Sequence, residues 1–172
     1  MRRNKKGFTL IELLIVVAII GIIVAIAIPN LLNAIQRAKQ KRTMGDMRSA
    51  GTAAEAYAVD FNHYPAAAAF TLPSSLVGKV PGTLTFMDAL ASSKTLVQSV
   101  TPTYIRVLPL ADGWNSWFLY TTDTTNQNYA IYSNGKDGAT DGALLLTETT
   151  DFNNDILFCD GQFLQYPAGA QK

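Results

Sequence analysis

Lys5-Lys6-Gly7-Phe8-Thr9-Leu10-Ile11-Glu12 sets a basic, glycine-ended leader against an apolar run that continues to Ile28. As a helix, the 21 residues of 8–28 make a rod of about 31 Å, matching a bilayer hydrocarbon core of roughly 30 Å. One carboxylate, Glu12, lies inside the run. Such a charge costs about 2.5–3.5 kcal/mol on insertion scales, so a partner is expected for it. The bland alternative is a side chain that snorkels to the headgroups from near one end of the span. An ordinary secretory signal is cut after its apolar core at small residues, whereas here the chain continues past Ile28 as Pro29-Asn30-Leu31-Leu32. The apolar helix is therefore expected to stay with the protein.

With the junction Lys6-Gly7-Phe8 and the run F-T-L-I-E-L-L on the page, the N-terminus resembles the type IV prepilin family. Within that family it is most similar to the major pseudopilins of type II secretion. The resemblance implies that a prepilin peptidase cuts between Gly7 and Phe8 and that Phe8 becomes an N-methylated amino terminus. It also implies that the amine of Phe8 on a neighbouring subunit neutralises Glu12 by a charge-assisted hydrogen bond. The family's fold is α+β: a long N-terminal helix, half embedded in membrane, followed by a small antiparallel sheet domain.

The expected organisation is a leader at 1–7, a transmembrane and polymerisation helix at 8–28 and its amphipathic continuation at 29–59. A variable connecting region at 60–103 and a C-terminal antiparallel sheet with an acidic loop at 104–172 complete it. Leu31, Leu32, Ile35, Ala38, Met44, Met47, Ala50, Ala54, Tyr57 and Ala58 form a loose helical stripe. Pro29 removes one backbone bond from that helix, either loosening it or leaving a static kink. Pro65 disfavours helical geometry at Tyr64 and ends it. A short helix is expected over 86–97. Strands are expected over 104–110, 117–122 and 129–133, where β-branched and aromatic residues sit between turn residues. Asp160-Gly161 predicts a hairpin joining 156–159 to 162–165, with Phe158 opposite Phe163 and Leu157 opposite Leu164.

Charge and cysteine usage exclude several functions. The 14 basic and 13 acidic residues give a net +1, and loss of the four basic leader residues turns this to −3. No basic excess remains for nucleic acid. The leader's positive charge predicts a cytoplasmic N-terminus, and hence a periplasmic C-terminal domain on a single inner-membrane span. Cys159 is alone and reads as a buried, inert thiol, so the intrachain disulfide of many type IV pilins has no counterpart here. Trp114 and Trp117 read as packing residues, and the sole histidine, His63, as a surface residue. No metalloprotease, CxxC or phosphate-loop motif is present, and the chain reads as a non-enzyme.

The acidic loop 133–155 is the candidate for calcium, which takes six to eight oxygens from carboxylates, amides and carbonyls. Asp137-Gly138-Ala139-Thr140-Asp141-Gly142 approaches an EF-hand loop but fails at Ala139, and its flanks are strand-like. The pseudopilin resemblance points instead to the Asn134 carbonyl and Asp137, with Asp141, Asp151 and Asp155 as further candidates. The plain alternative is a pair of Asp-Gly turns. Expected partners are further copies of the chain in a filament, minor pseudopilins, the prepilin peptidase, the membrane proteins of the secretion platform, and lipid. A surface type IV pilus subunit is the runner-up, and a singly anchored binding protein that never polymerises is a third reading.

Overall fold

A computed structural model describes residues 7–67, 85–86, 96–123, 125–141 and 145–169. Helix α1 spans Leu10–Phe61, 52 residues. The remaining elements are β1 (Thr85–Phe86), α2 (Leu96–Val100), β2 (Leu119–Thr122), β3 (Tyr129–Ser133), β4 (Glu148–Thr149), β5 (Ile156–Cys159) and β6 (Gln162–Pro167). The chain divides into two compact units, Met1–Arg37 and Ala38–Lys172.

In the first unit every residue from Gly7 to Ile35 is exposed, aliphatic side chains included. This part of α1 is long and apolar enough to cross a membrane. Helix continues through Gly21 and Pro29 without a break. Leu31, Leu32 and Ile35 of the predicted stripe find no cover within a single subunit.

The second unit carries the core. Thr43, Met44, Met47, Ala50, Gly51 and Ala54 recur at helical spacing and are buried, with Tyr57 half-buried behind them. Ala38 of the expected stripe is exposed instead. Gly51 is where the helix approaches the sheet most closely. A Cβ there would lie 2.4 Å from a Phe158 ring carbon and 2.7 Å from the Tyr129 hydroxyl. The helix ends two residues later than expected, at Phe61, where Asn62 takes a left-handed φ of 58° and donates its N–H to Ala58 O at 2.8 Å.

Among the described residues the sheet has six strands, in the order β1-β2-β3-β5-β6-β4. Its pairings are antiparallel except β4–β6, which is parallel, so the sheet is mixed where a purely antiparallel one was expected. Alternation along the strands sends Tyr120, Ile131, Phe158 and Phe163 to one core cluster, shared with α1. Leu119, Ala130, Tyr132, Leu157 and Cys159 go to a second cluster.

The hairpin forms at Asp160-Gly161 with φ of 44° and 82°, and Phe158 does face Phe163. Leu157 faces Gln165 rather than Leu164, because the register shifts between Leu157 and Phe158. The bulge releases Leu164 from the ladder and sends the Gln165 side chain into the interior, fully buried.

Three predicted elements are corrected. Residues 104–110 are not a strand: Tyr104 and Ile105 donate their N–H groups to Val100 O and close α2, and Pro109 has no N–H for a ladder. The strand predicted from Trp117 begins at Leu119, Trp117 making only an isolated bridge to Ala111. The helix predicted over 86–97 is likewise displaced. Phe86 pairs with Leu119 in β1, α2 begins at Leu96, and residues 87–95 lie outside those described.

Candidate functional site

At the N-terminus the geometry centres on Thr9 and Glu12. The Thr9 backbone N–H and hydroxyl donate to Glu12 Oε2 at 2.8 and 2.6 Å, and the Glu12 N–H donates to Thr9 Oγ1 at 3.3 Å. This is a reciprocal capping box: Thr9 is the N-cap, and Glu12, three residues on, returns the bond. The T-x-x-E spacing was legible in the sequence, but a reading focused on the membrane cost of Glu12 passes over it. In the single subunit the carboxylate thus has a local partner and remains exposed. Gly7 and Phe8 are exposed and precede the helix, Phe8 at 76% of its full accessibility.

The acidic loop is anchored through Asp155. Its side chain is fully buried at the start of β5 and accepts from the Tyr132 hydroxyl and, at 2.6 Å, from Asp141 N. Asp141 Oδ2 accepts from Asp155 N at 3.1 Å in return. The second Asp155 oxygen, Oδ1, is buried with no hydrogen-bond partner. Burial first, then the nearby charges of Asp141 and Asp137, push the Asp155 carboxyl up to about 7.

The other predicted loop residues are engaged locally. Asp137 Oδ1 accepts from Ala139 N at 3.0 Å and Asp151 Oδ1 from Asn153 N at 2.9 Å, both turn-type bonds. Asn134 Nδ2 donates to Gly138 O at 3.2 Å. The structure brings Asp141 and Asp155 together, places Asp137 within electrostatic reach and leaves Asp151 in its own turn. Among the described residues no three carboxylate, imidazole or thiol groups converge as a metal cluster.

Sequence reading missed two polar side chains that hold this region together. Gln165 Nε2 donates to Asp155 O at 3.0 Å, while its Oε1 accepts from Leu145 N and Leu146 N at 2.8 and 3.2 Å. Asp112, also buried, accepts from Trp114 N and Ser116 N at 2.9 Å and from Ser133 Oγ at 2.7 Å. Each is defined by burial that a one-dimensional pattern does not show. Cys159 is buried, and burial followed by the charge of Asp160 pushes its thiol up to about 12, far from the reactive thiolate. His63 is exposed, with Nδ1 2.9 Å from Tyr64 O. Trp114 packs on the core, whereas Trp117 departs from expectation at 48% exposed.

Two family models match the chain. One, described as the prokaryotic N-terminal methylation motif, covers residues 2–28. The other, described as type II secretion system (T2SS) protein G, covers residues 30–151. Among curated proteins, the type II secretion system core protein G of Pseudomonas aeruginosa is 30% identical over 83% of this chain and 91% of its own length. The core protein G of Escherichia coli is 26% identical over 78% of this chain and 84% of its own. A type IV wide pilus major component of Thermus thermophilus is 42% identical over 54% of this chain and 70% of its own. No solved structure matches the chain.

Proposed function

The chain belongs to the type II secretion system protein G family, the major pseudopilins, and from that premise we propose how it works as a structural subunit of the pseudopilus. The observation that carries the assignment is the protein G match over residues 30–151, which extends beyond the leader and helix into the sheet and the acidic loop. The subunit is held in the inner membrane by residues 8–28, with its N-terminus cytoplasmic and its C-terminal domain periplasmic. It assembles through the N-terminal helix into a periplasmic filament whose growth drives protein export. The exposed aliphatic surface of that helix supports this reading, since such a surface needs either lipid or neighbouring helices for cover. The chain performs no catalysis; minor pseudopilins, a prepilin peptidase and secretion-platform membrane proteins are its partners. The partial match to a wide pilus component keeps a surface pilus subunit as the second reading.

Processing falls between Gly7 and Phe8, and N-methylated Phe8 then offers its amine to Glu12 of a neighbour. Intact mass spectrometry of the membrane-purified protein is expected to give a chain beginning at N-methylated Phe8. A chain beginning at Met1 in cells that possess the peptidase would remove the processing step and the Glu12 pairing built on it. Deletion of the secretion ATPase is expected to stop export and filament growth together; export that continues without filaments would favour the pilus reading.

The loop holds calcium. What supports this is the orphaned, buried Oδ1 of Asp155, an oxygen that a cation would satisfy, with the carboxylates of Asp141 and Asp137 beside it. The Asn134 carbonyl completes the proposed donor set. Asp151, which bonds within its own turn and is not among the charges acting on Asp155, is left out. A bound ion would offset the mutual repulsion of the acids and tie the loop to β5.

A further inference from the structure

Between Leu13 and Ala54 the chain carries five basic residues, Arg37, Lys39, Lys41, Arg42 and Arg48, and a single acid, Asp46. Beyond Ala54 the balance reverses, with five basic and eleven acidic residues. Four of the five cations on the helix fall within residues 37–42. From residue 36 to 48 every exposed position is either basic (Arg37, Lys41, Arg42 and Arg48) or small (Ala38 and Gly45). Arg48 serves its own domain, its guanidinium carbon lying 5.1 Å from the centre of the Phe163 ring. Arg42 Nε is 3.4 Å from Asp46 Oδ2, yet 71% of the Arg42 side chain stays exposed. Among the described residues that is the one ion pair of the band, so no acid of their own chain pairs with Arg37 or Lys41.

The place of this band in the chain indicates what it meets. Exposed apolar side chains run from Phe8 to Ile35. The 28 helical residues of 8–35 extend about 42 Å, the depth of a bilayer with both headgroup layers, roughly 40–45 Å. Arg37 stands two residues past the end of that run, and Lys41 six. We propose that Arg37, Lys41 and Arg42 bind the phosphates of anionic phospholipids in the periplasmic leaflet, each cation meeting its own headgroup. The inference rests on the membrane-anchored reading above. The excess of Lys and Arg ordinarily lies on the cytoplasmic side of a span, and here the leader supplies four. Once the leader is removed, the cytoplasmic flank has none, while residues 37–42 keep their four. The mature chain has then lost the usual bias that orients a span, and anionic headgroups beside the band supply a hold from the opposite face. Arginine and lysine suit this occupant, since each makes charge-assisted hydrogen bonds to phosphate oxygens. The acid excess beyond Ala54 is repelled by the same surface, which leaves the band as the cationic contact.

The test uses the full-length chain reconstituted at low density in vesicles of equal parts phosphatidylglycerol and phosphatidylcholine. After gentle detergent extraction, the lipids retained on the chain are counted. A second chain combines Arg37→Gln, Lys41→Gln and Arg42→Gln; the leader is common to both, so their difference reads the band alone. The unsubstituted chain is expected to retain phosphatidylglycerol over phosphatidylcholine, and the triple variant to lose about fivefold of that preference at an unchanged melting temperature. Equal preference in the two chains, or no preference in either, would overturn the inference and leave the span standing. Loss of filaments from the triple variant with its lipid preference intact would assign the band to a neighbour's acids and likewise overturn it. A chain stripped from the vesicles by alkali would overturn the membrane-anchored reading and the inference together. Should the triple variant melt lower, Lys41→Gln alone decides, because it leaves the Arg42–Asp46 pair in place. A smaller fall in preference is expected from it, and no fall would overturn the inference.

Discussion

In the single subunit the Glu12 carboxylate accepts two hydrogen bonds from Thr9, both on Oε2, so the amine proposed to pair with it from a neighbour would find Oε1 open. The two roles are separable by mutation. Thr9→Ala removes the hydroxyl part of the cap, at a cost of about 1 kcal/mol to the helix start, and leaves the carboxylate in place. Filament yield from Thr9→Ala is expected to stay near that of the unsubstituted chain, while Glu12→Ala assembles poorly yet inserts in the membrane at least as well. Equal loss from both would reduce Glu12 to a cap. Asp155 carries a second prediction. With its carboxyl raised from 3.8 to about 7, the folded state holds the proton more tightly than the unfolded chain does. Its contribution is therefore present below about pH 4 and is lost as pH rises through about 7. In chelator, the melting temperature is expected to fall across that window, and Asp155→Asn is expected to flatten the fall.

The element most exposed to a single substitution is the face of α1 that meets the sheet. Gly51→Ala would push a methyl against the Phe158 ring and the Tyr129 hydroxyl, whose bond to Glu55 Oε1 at 2.8 Å spans helix and strand. Overpacking of this kind costs about 1–3 kcal/mol, and a thermal melt is expected to show it. Gly45, six residues earlier, has nothing within 4 Å of a Cβ. There Gly45→Ala is expected to stabilise by up to about 1 kcal/mol through helix propensity alone. The contrast also shows where sequence was legible. Helix α1, strand β3 and the Asp160-Gly161 turn announce themselves through local periodicity and turn chemistry. Residues 104–110 mislead because β-branched and aromatic residues suit any half-buried surface, and only the three-dimensional neighbourhood reveals that Val100 O takes their first N–H groups. The bulge at Leu164 was hidden for the same reason, since its cause is a buried bond network running through Gln165.

For the molecule as a whole, the proposed calcium ion would act on the loop between β3 and β5, two strands that are central to the sheet. Detergent-solubilised full-length chain is expected to melt higher in calcium than in chelator, and Asp137→Ala and Asp155→Asn are each expected to shrink the difference. A melting temperature unmoved by chelation would leave the loop as turns and acids held by protein bonds alone. The leader and its family were readable because their signal is contiguous; the acid pair was not, because Asp141 and Asp155 meet across 14 residues and only folding brings them together while Asp151 stays in its own turn. Chain order adds a consequence in time. The buried face of α1, residues 43–54, is synthesised more than a hundred residues before Phe163 and β6, against which its core must close. At roughly 5–20 residues per second the delay is on the order of 5–20 s. The apolar segment at 8–28 leaves the ribosome even earlier, with nothing downstream required to complete it. On the membrane-anchored reading proposed above, a newborn subunit would be tethered before its C-terminal domain can fold.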